Sequence, residues 1–231
     1  MENSSLGFNF DSGEFGSNLK VGKVRRKSID ETYELVVGKV STARNHCNEM
    51  VVPLQEKVSP GRLINLVVRA FNDGIAFRYE FPEQEGWNSY VMYDEKTQFR
   101  LSGNPMALLM YLPGYINTHE GVYTHTGYDK IAKKRLIEMP VTLEFENGVF
   151  MSITEAAIRD YAGMYLVKEK DAFAGKLSPR LGQEKIKVEI NEFPHRTPWR
   201  VISVSDRIGG LLETNILTSL NEPCKIEDTS W

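Results

Sequence analysis

The strongest candidate for chemistry in this sequence is a carboxylate at the end of an apolar run. Residues 152–161 read SITEAAIRDY, so the apolar residues lead directly into Glu155 and then into Asp160. Carboxylate oxygens at the end of a strand are ligands that a hard cation such as Ca²⁺ prefers. Glu155 is therefore a candidate metal ligand, and an ordinary solvated acid at a sheet edge is the alternative interpretation.

A second candidate cluster combines an aromatic ring with basic side chains between two prolines. Residues 194–200 read PHRTPWR, which places Trp199 and Arg200 at the start of an apolar run. An aromatic ring beside a guanidinium can stack on a sugar or hold an interface. The alternative interpretation is a rigid turn that leads into a strand, because proline fixes the backbone on either side of the cluster.

The remaining reactive side chains form no recognisable catalytic pattern. His119 and His125 share one loop, but their spacing matches no standard zinc site, so we expect them to brace the loop or face solvent. Cys47 and Cys224 fit neither a disulfide framework nor a metal-cysteine motif, and we expect free, buried thiols. Nucleophile elbows, phosphate-binding loops and dinucleotide fingerprints are absent, so we assign no catalytic residue.

Length, composition and charge restrict the class of protein. The chain has 231 residues, of which 41% are hydrophobic and 26% charged, which is typical of a folded globular domain. A formal net charge of -3 argues against a nucleic-acid-binding protein, which usually carries a basic excess. No apolar stretch of about 18 residues predicts a membrane-spanning helix, and the polar start MENSSLGFNF shows no signal peptide.

Short alternating runs bounded by turn residues indicate an all-β fold that would position these candidates. The clearest predicted strands lie at 33–37, 49–54, 62–71, 75–81, 141–145, 149–153, 164–167, 185–190 and 199–204. Asn72-Asp73-Gly74 and Glu146-Asn147-Gly148 supply tight turns, so each joins its neighbouring runs into a predicted hairpin. Roughly ten to thirteen strands at this spacing favour a sandwich or a barrel.

Helical signal is confined to one segment. Residues 206–220 carry apolar side chains at helical spacing after Asp206, a suitable N-cap, and we predict one helix there. Gly209-Gly210 weakens that helix. Residues 114–136 show no clean period, and we expect a long loop of the kind that is often functional.

Six stretches of the sequence are distinctive as an ordered set. They are ENSSLGF at 2–8, ARNHCNEMVV at 43–52, LVVRAFNDGIAFRYEFP at 66–82, SITEAAIRDYAGMYL at 152–166, TPWRVISVSD at 197–206 and LNEPCKIEDTSW at 220–231. Together they resemble the N-terminal domain of glycoside hydrolase family 97, a group that includes bacterial α-glucosidases and α-galactosidases. The resemblance implies that residues 1–231 form one large antiparallel β-sandwich of the galactose-mutarotase type, with few short helices.

The resemblance also implies what the parent protein contains besides this chain. Family members continue into a (β/α)₈ barrel that carries the catalytic carboxylates, so we expect this chain to be truncated at both ends and inactive alone. Its expected partners are that barrel and an α-glucoside or α-galactoside, with no nucleic acid and no membrane span. Members of the family are commonly exported, which implies a periplasmic or secreted location for the intact parent.

The resemblance assigns roles to particular residues. In the family, the N-terminal domain donates a glutamate to a Ca²⁺ beside the active site, and the match in SITEAAIRDY carries that role to Glu155. Asn221 and Glu222, near the junction with the barrel, are carried over as interdomain or substrate contacts. We give Trp199 and Arg200 the same candidate role.

Two other functions remain open at this point. A free-standing sugar epimerase of the mutarotase type shares the fold, and it would need a general acid and a general base over the anomeric carbon. A carbohydrate-binding module without chemistry would need exposed aromatic rings, for which Trp87, Tyr115 and Tyr123 are the candidates.

Overall fold

Strands dominate the fold, as the alternating runs predict. A computed structural model describes residues 1–229; Ser230 and Trp231, which end the LNEPCKIEDTSW stretch, lie outside the described residues. The described strands pair in antiparallel ladders and form three sheets, of eleven, five and four strands. This architecture confirms the predicted mainly β, sandwich-like fold with few short helices.

The elements are numbered in chain order. The strands are β1 (Phe8–Phe10), β2 (Gly13–Phe15), β3 (Leu19–Val21), β4 (Arg25–Glu34), β5 (Thr42–Glu56), β6 (Leu63–Phe71), β7 (Gly74–Phe81), β8 (Ser89–Glu95), β9 (Gln98–Arg100), β10 (Met106–Leu109), β11 (Tyr111–Leu112), β12 (Thr124–Gly127), β13 (Leu136–Ile137), β14 (Val141–Glu144), β15 (Phe150–Ala156), β16 (Met164–Glu169), β17 (Ala172–Leu177), β18 (Ile186–Glu189), β19 (His195–Arg196) and β20 (Trp199–Ser205). The helices are α1 (Gly210–Glu213) and α2 (Ile216–Ser219), with a 3₁₀ turn at Tyr128–Lys130.

The eleven-stranded sheet, called the large sheet, carries most of the candidate residues. Its order is β12-β10-β14-β15-β20-β7-β6-β5-β3, and β4 and β19 join it through β5 and β7. The small sheet has the order β18-β8-β1-β2, and the five-stranded sheet has the order β11-β13-β16-β17-β9. Side chains from all three sheets meet in one principal core.

Aromatic rings fill the part of the principal core where the small and large sheets meet. The ring of Phe8 on β1 lies 4.6 Å from that of Tyr79 and 5.6 Å from that of Phe81, both on β7. Phe81 in turn stacks on Tyr90 of β8 at 4.9 Å between centroids. Burial of a phenylalanine side chain contributes about 1.5–3 kcal/mol, so this cluster holds the two sheets together.

The opposite face of the large sheet has a smaller core of its own. Side chains alternate along a strand, so Trp199 points to this face while Arg200 and Ile202 point to the principal core. Ile216 and Leu220, from α2 and the residue that ends it, cover the smaller core. Helix α2 thus covers part of this face of the sheet.

Both predicted hairpins are confirmed. β6 pairs with β7 in a register that places Phe71 opposite Gly74, and β14 pairs with β15. Gly74 is also a point of close approach, because a Cβ there would lie 2.4 Å from the carbonyl oxygen of Ile202 and 2.8 Å from Cδ1 of Ile216. The space between β7 and its neighbours therefore requires glycine at this turn.

Replacing Gly74 with alanine is expected to lower the free energy of unfolding by about 1–3 kcal/mol, because the added methyl group overlaps packed backbone. Gly114→Ala is the matched control, since a Cβ there meets nothing within 4 Å. Urea unfolding of both variants measures the difference. Equal stability of the two variants would contradict the crowding at Gly74.

Two predicted elements are wrong in their position or extent. The strand predicted at 33–37 instead occupies Arg25–Glu34, because β4 is highly charged and exposed on both faces and shows no apolar alternation. The single helix predicted at 206–220 is divided into α1 and α2, because Thr214 leaves the helical region with φ −56° and ψ 140°. Gly209 rather than Asp206 is the N-cap residue of α1.

The described residues also contain more strands than the sequence predicts. Twenty are present instead of roughly ten to thirteen, because several strands of two to four residues carry too little pattern to be recognised. The segment 114–136 is mostly irregular, as predicted, although it includes β12 and the 3₁₀ turn. Between residues 1 and 229, neither helix has the length or apolar character needed to cross a bilayer.

Candidate functional site

Glu155 and Arg200 face each other across neighbouring strands of the large sheet. Glu155 lies on β15 and Arg200 on β20, and the antiparallel register pairs these two positions directly. Ile153 and Ile202, two residues away on each strand, belong to the principal core, so the two charged side chains point to the same inner face. Near one end of the β15–β20 ladder, the Glu155 carboxylate and the Arg200 guanidinium therefore point into the interior.

Arg200 is fully buried, and two carboxylates balance its charge. Its Nε and Nη2 atoms donate to Glu95 at 3.0 and 2.6 Å, and its Nη1 donates to Oε2 of Glu155 at 2.5 Å. The side chains of Arg200 and Glu95 have no exposed surface, whereas that of Glu155 is 10% exposed. We call Glu95, Arg200 and Glu155 the ion triad, and its two carboxylates and one guanidinium leave one net negative charge.

Glu95 connects the ion triad to the small sheet. It is the last residue of β8, and it also accepts hydrogen bonds from Oγ1 of Thr97 at 2.8 Å and from the hydroxyl of Tyr161 at 3.1 Å. A buried charge needs such partners because burial removes the water that would otherwise solvate it. Sequence reasoning missed Glu95, because nothing in its local sequence distinguishes it from an ordinary surface acid.

The charges in the ion triad influence one another's protonation. Burial raises the pKa of Glu155 above its ordinary value, although the nearby Arg200 guanidinium acts in the opposite direction. Burial disfavours the charged form of Arg200, but Glu95 and Glu155 more than offset this and raise its pKa above the usual range. Arg200 therefore remains a guanidinium cation, and its two carboxylate partners share it.

Glu155 fits the role of one cation ligand among several. A carboxylate offers about four acceptor positions, and Glu155 uses two of them, for Nη1 of Arg200 and for the backbone N–H of Met164 at 3.0 Å. Its oxygens are the hard donors that Ca²⁺ prefers. Within residues 1–229, no group of three or more His, Cys, Asp or Glu side chains is placed to hold a metal.

Asn221 and Glu222 lie on the surface close to the segment that follows Glu155. Oε2 of Glu222 is 3.2 Å from Nη1 of Arg159, which belongs to the SITEAAIRDY stretch. Nδ2 of Asn221 donates to the carbonyl of Leu217 at 2.7 Å and so closes the end of α2. The structure therefore brings the 155–160 segment and the 221–222 segment together at one edge of the molecule.

Trp199 is buried in the smaller core rather than exposed beside Arg200. Only 1% of its surface is accessible, and the guanidinium carbons of Arg78 and Arg69 lie 4.3 and 4.9 Å from its ring centroid. Trp199 and Arg200 thus present no surface on which a sugar could stack. The geometry gives Trp199 a packing role and Arg200 an ion-pairing role, whereas Asn221 and Glu222 are exposed.

The histidines and thiols are dispersed over the molecule. Nδ1 of His119 lies 2.7 Å from Glu138, which is the predicted loop-bracing contact, while His125 is exposed. His195 is buried, bonds the hydroxyl of Tyr90 at 2.9 Å, and has its pKa lowered by burial. Both cysteines are free, as predicted, but only Cys47 is buried; Cys224 is exposed because it lies in the irregular segment after α2.

The aromatic residues proposed as a binding platform do not form one. Trp87 packs against the principal core, with its ring 5.6 Å from that of Phe10. Tyr115 is half-buried and lies 5.5 Å from Tyr165, whereas Tyr123 is exposed. A flat array of exposed rings is therefore not present at these three positions.

The sequence profile of a known protein domain, described as "Glycosyl-hydrolase 97 N-terminal", matches residues 1–223. The chain belongs to glycoside hydrolase family 97. Within that family it corresponds to the N-terminal domain, as the six ordered stretches predict. The ion triad and its partners are thus features of a family 97 N-terminal domain.

Solved structures show the same domain in longer enzymes. A family 97 enzyme from Pseudoalteromonas sp. strain K8, solved in complex with panose, is 31% identical and superposes with a TM-score of 0.90. The match covers 100% of this chain and 34% of that enzyme. The same enzyme has been solved with acarbose, with a TM-score of 0.89. A β-arabinopyranosidase at 24% identity and a TM-score of 0.75 shares the fold.

Two curated relatives are also longer proteins of which only a part is similar to this chain. The chain is 25% identical to a retaining α-galactosidase of Bacteroides thetaiotaomicron, over 99% of this chain and 37% of the relative. It is also 25% identical to a probable retaining α-galactosidase of Streptomyces bingchenggensis, over 100% of this chain and 34% of the relative. This family 97 chain therefore spans about a third of the length of these relatives.

Proposed function

We propose that this chain is the non-catalytic N-terminal domain of an enzyme that hydrolyses α-glucosides or α-galactosides. The observation that carries the proposal is the ion triad, which carries one net negative charge and in which the Glu155 carboxylate is 10% exposed while Glu95 and Arg200 have no exposed surface. Among residues 1–229, His, Cys, Asp and Glu side chains form no group of three or more that could hold a metal ion. A single oriented acid of this kind suits a domain that completes a site built mainly by another domain.

In this proposal Glu155 supplies one oxygen ligand to Ca²⁺. A bound Ca²⁺ would supply positive charge that positions a carboxylate and polarises a sugar hydroxyl. The contribution of this chain is to orient the Glu155 carboxylate through Nη1 of Arg200 and the N–H of Met164. The reacting acids would belong to the proposed (β/α)₈ barrel.

We propose that the surface beside α2 contacts that barrel and shapes one wall of its pocket. A cavity of about 470 Å³ lies between the end of β4 and the segment after α2, and Asn221 and Glu222 line it. The apolar side chain of Val37, which also lines this cavity, is 82% exposed. Exposed apolar surface next to a cavity is typical of a contact area for another domain.

The names of the relatives support the substrate class. Both curated relatives are named as retaining α-galactosidases, and the Pseudoalteromonas enzyme was solved with panose and with acarbose. The proposal therefore includes α-galactosides and α-glucosides. A periplasmic or secreted location of the parent is part of the same proposal and rests on the family alone.

The proposal is tested by comparing the chain with the full-length enzyme that carries it. Aryl α-glucoside and aryl α-galactoside are given to each protein, and release of the aryl group is followed. The full-length enzyme is expected to turn over one of the two substrates, and the chain neither. Turnover by the chain alone would contradict a non-catalytic domain.

Glu155→Gln in the full-length enzyme is expected to weaken Ca²⁺ binding by at least about tenfold, because the substitution replaces a charged oxygen ligand with a neutral one. The measurement is calcium titration calorimetry on enzyme stripped with a chelator. Glu213→Gln is the control, because Glu213 is an exposed acid paired with Arg207 and makes no contact with the ion triad. Equal affinities of the two variants would remove Glu155 from the proposed site.

A further inference from the structure

We propose that Glu95 and Arg200 are positioning residues for the Glu155 carboxylate, and that Glu95 keeps this carboxylate available to a bound cation. The inference rests on the proposed Ca²⁺ role of Glu155. It extends that role to two residues that are fully buried and touch no ligand themselves.

The first step concerns charge. Without Glu95, Arg200 would neutralise Glu155 completely, and a cation would meet an ion pair with no net charge. Glu95 instead takes two parallel hydrogen bonds from Arg200, at 3.0 and 2.6 Å, while Glu155 takes one. Paired hydrogen bonds of this type are stronger and more directional than single ones. Glu95 therefore balances the guanidinium and leaves the net negative charge of the ion triad on Glu155, which is 10% exposed and the only member of the triad with exposed surface.

The second step concerns orientation. Glu155 is held on two sides, by Nη1 of Arg200 from β20 and by the N–H of Met164 from β16. Arg200 is in turn fixed by Glu95 at the end of β8, which the Tyr161 hydroxyl and Thr97 hold in place. All three sheets thus take part in placing this carboxylate: the large sheet supplies Arg200, the five-stranded sheet supplies the N–H of Met164, and the small sheet supplies Glu95, which acts through Arg200. Such outer partners of a metal ligand commonly change metal affinity by about 10- to 100-fold when they are removed.

The chain contains a matched control for this arrangement. Glu56 accepts hydrogen bonds from Nε and Nη2 of Arg62 at 2.8 and 2.6 Å, and the two side chains are 7% and 5% exposed. This pair has the same two-bond geometry as the Glu95–Arg200 pair and is also largely buried, although less completely, and it makes no contact with Glu155. A variant of Glu56 therefore reports the general effect of breaking a buried ion pair.

The experiment compares Glu95→Gln with Glu56→Gln in the full-length enzyme that carries this chain. The Kd for Ca²⁺ is measured by titration calorimetry after chelator treatment, and stability is measured separately by urea unfolding without Ca²⁺. Glu95→Gln is expected to raise the Kd by about 10- to 100-fold. Glu56→Gln is expected to lower stability while leaving the Kd within about threefold, since it acts only through the fold.

Three outcomes distinguish this inference from the function on which it rests. A raised Kd for Glu155→Gln and Glu95→Gln, but not for Glu56→Gln, supports both. A raised Kd for Glu155→Gln with an unchanged Kd for Glu95→Gln, or with equal shifts in Glu95→Gln and Glu56→Gln, overturns the positioning role only. An unchanged Kd for Glu155→Gln overturns the proposed Ca²⁺ role itself.

A milder pair of variants covers the case in which Glu95→Gln does not fold. Tyr161→Phe removes the hydroxyl that donates to Glu95, and Tyr128→Phe removes a buried hydroxyl that donates instead to the carbonyl of Asp171. Tyr161→Phe is expected to raise the Kd for Ca²⁺ by about threefold, because Glu95 and then Arg200 lose part of their orientation. The same Kd in both variants would overturn the inference.

Discussion

Arg200→Met is expected to lower the free energy of unfolding by about 3–5 kcal/mol, which is the cost of leaving buried carboxylates without their counter-charge. Methionine fills the space of the apolar part of the Arg200 side chain and removes the charge, so the loss comes mainly from Glu95 and Glu155. Glu95 has no exposed surface through which water could replace the guanidinium. Urea unfolding of the chain at pH 7 measures the effect.

The pH dependence of this variant provides an independent check. Without Arg200, the two buried carboxylates favour their protonated forms, so the folded state binds more protons than the unfolded state. Stability of the variant relative to the unsubstituted chain should therefore increase as the pH is lowered from 7 toward 5. Arg207→Met is the control, because Arg207 and Glu213 are each 61% exposed and such a pair contributes at most about 1 kcal/mol. A loss as small in Arg200→Met as in this control would refute the account.

Trp199→Ala is expected to destabilise the chain by about 3–5 kcal/mol, the usual cost of removing a large buried aromatic side chain. The guanidinium groups of Arg78 and Arg69 both lie over the indole, which shares the smaller core with Ile216 of α2. Its removal would leave a cavity and deprive both guanidinium groups of the ring on which they stack. Thermal and urea unfolding measure the loss.

Trp199→Phe separates the contribution of the ring from that of the indole nitrogen. Nε1 of Trp199 is buried without a hydrogen-bond partner, so replacing indole by phenyl removes an unsatisfied donor while keeping an aromatic face. We expect the Phe variant to retain most of the stability that the Ala variant loses. Equal losses in the two variants would show that ring stacking on Arg78 and Arg69 is unimportant.

The sequence predicts those parts of the fold that depend on local pattern. The β6–β7 hairpin is recognisable because Asn72-Asp73-Gly74 lies between two runs of apolar alternation. β4 is not recognisable, because a charged strand exposed on both faces has no alternation to detect. The break between α1 and α2 at Thr214 is also not recognisable from the sequence, because the apolar spacing continues through it. The bend accompanies the packing of α2 on the smaller core, which is a long-range contact.

The sequence predicts only part of the candidate site, because local patterns identify single strands and not the contacts between distant ones. Glu155 and Arg200 are identified by short sequence stretches, and each of these stretches is one strand of the site. Glu95 is brought to them from the small sheet, across the core, and no local pattern encodes such a long-range contact. The burial of Trp199 and Arg200 was also not predicted, because whether a strand is covered on both faces depends on the helices that follow it.

The alternation of Trp199 and Arg200 makes the length of β20 as important as its composition. One residue faces the smaller core and the next faces the ion triad, so a single-residue insertion or deletion upstream in the strand would exchange the two sides. The guanidinium would then enter an apolar layer, and the indole would lie against two carboxylates. The spacing between β19 and the end of β20 is therefore constrained together with the identities of Trp199 and Arg200, because a shift by one residue would misplace both side chains at once.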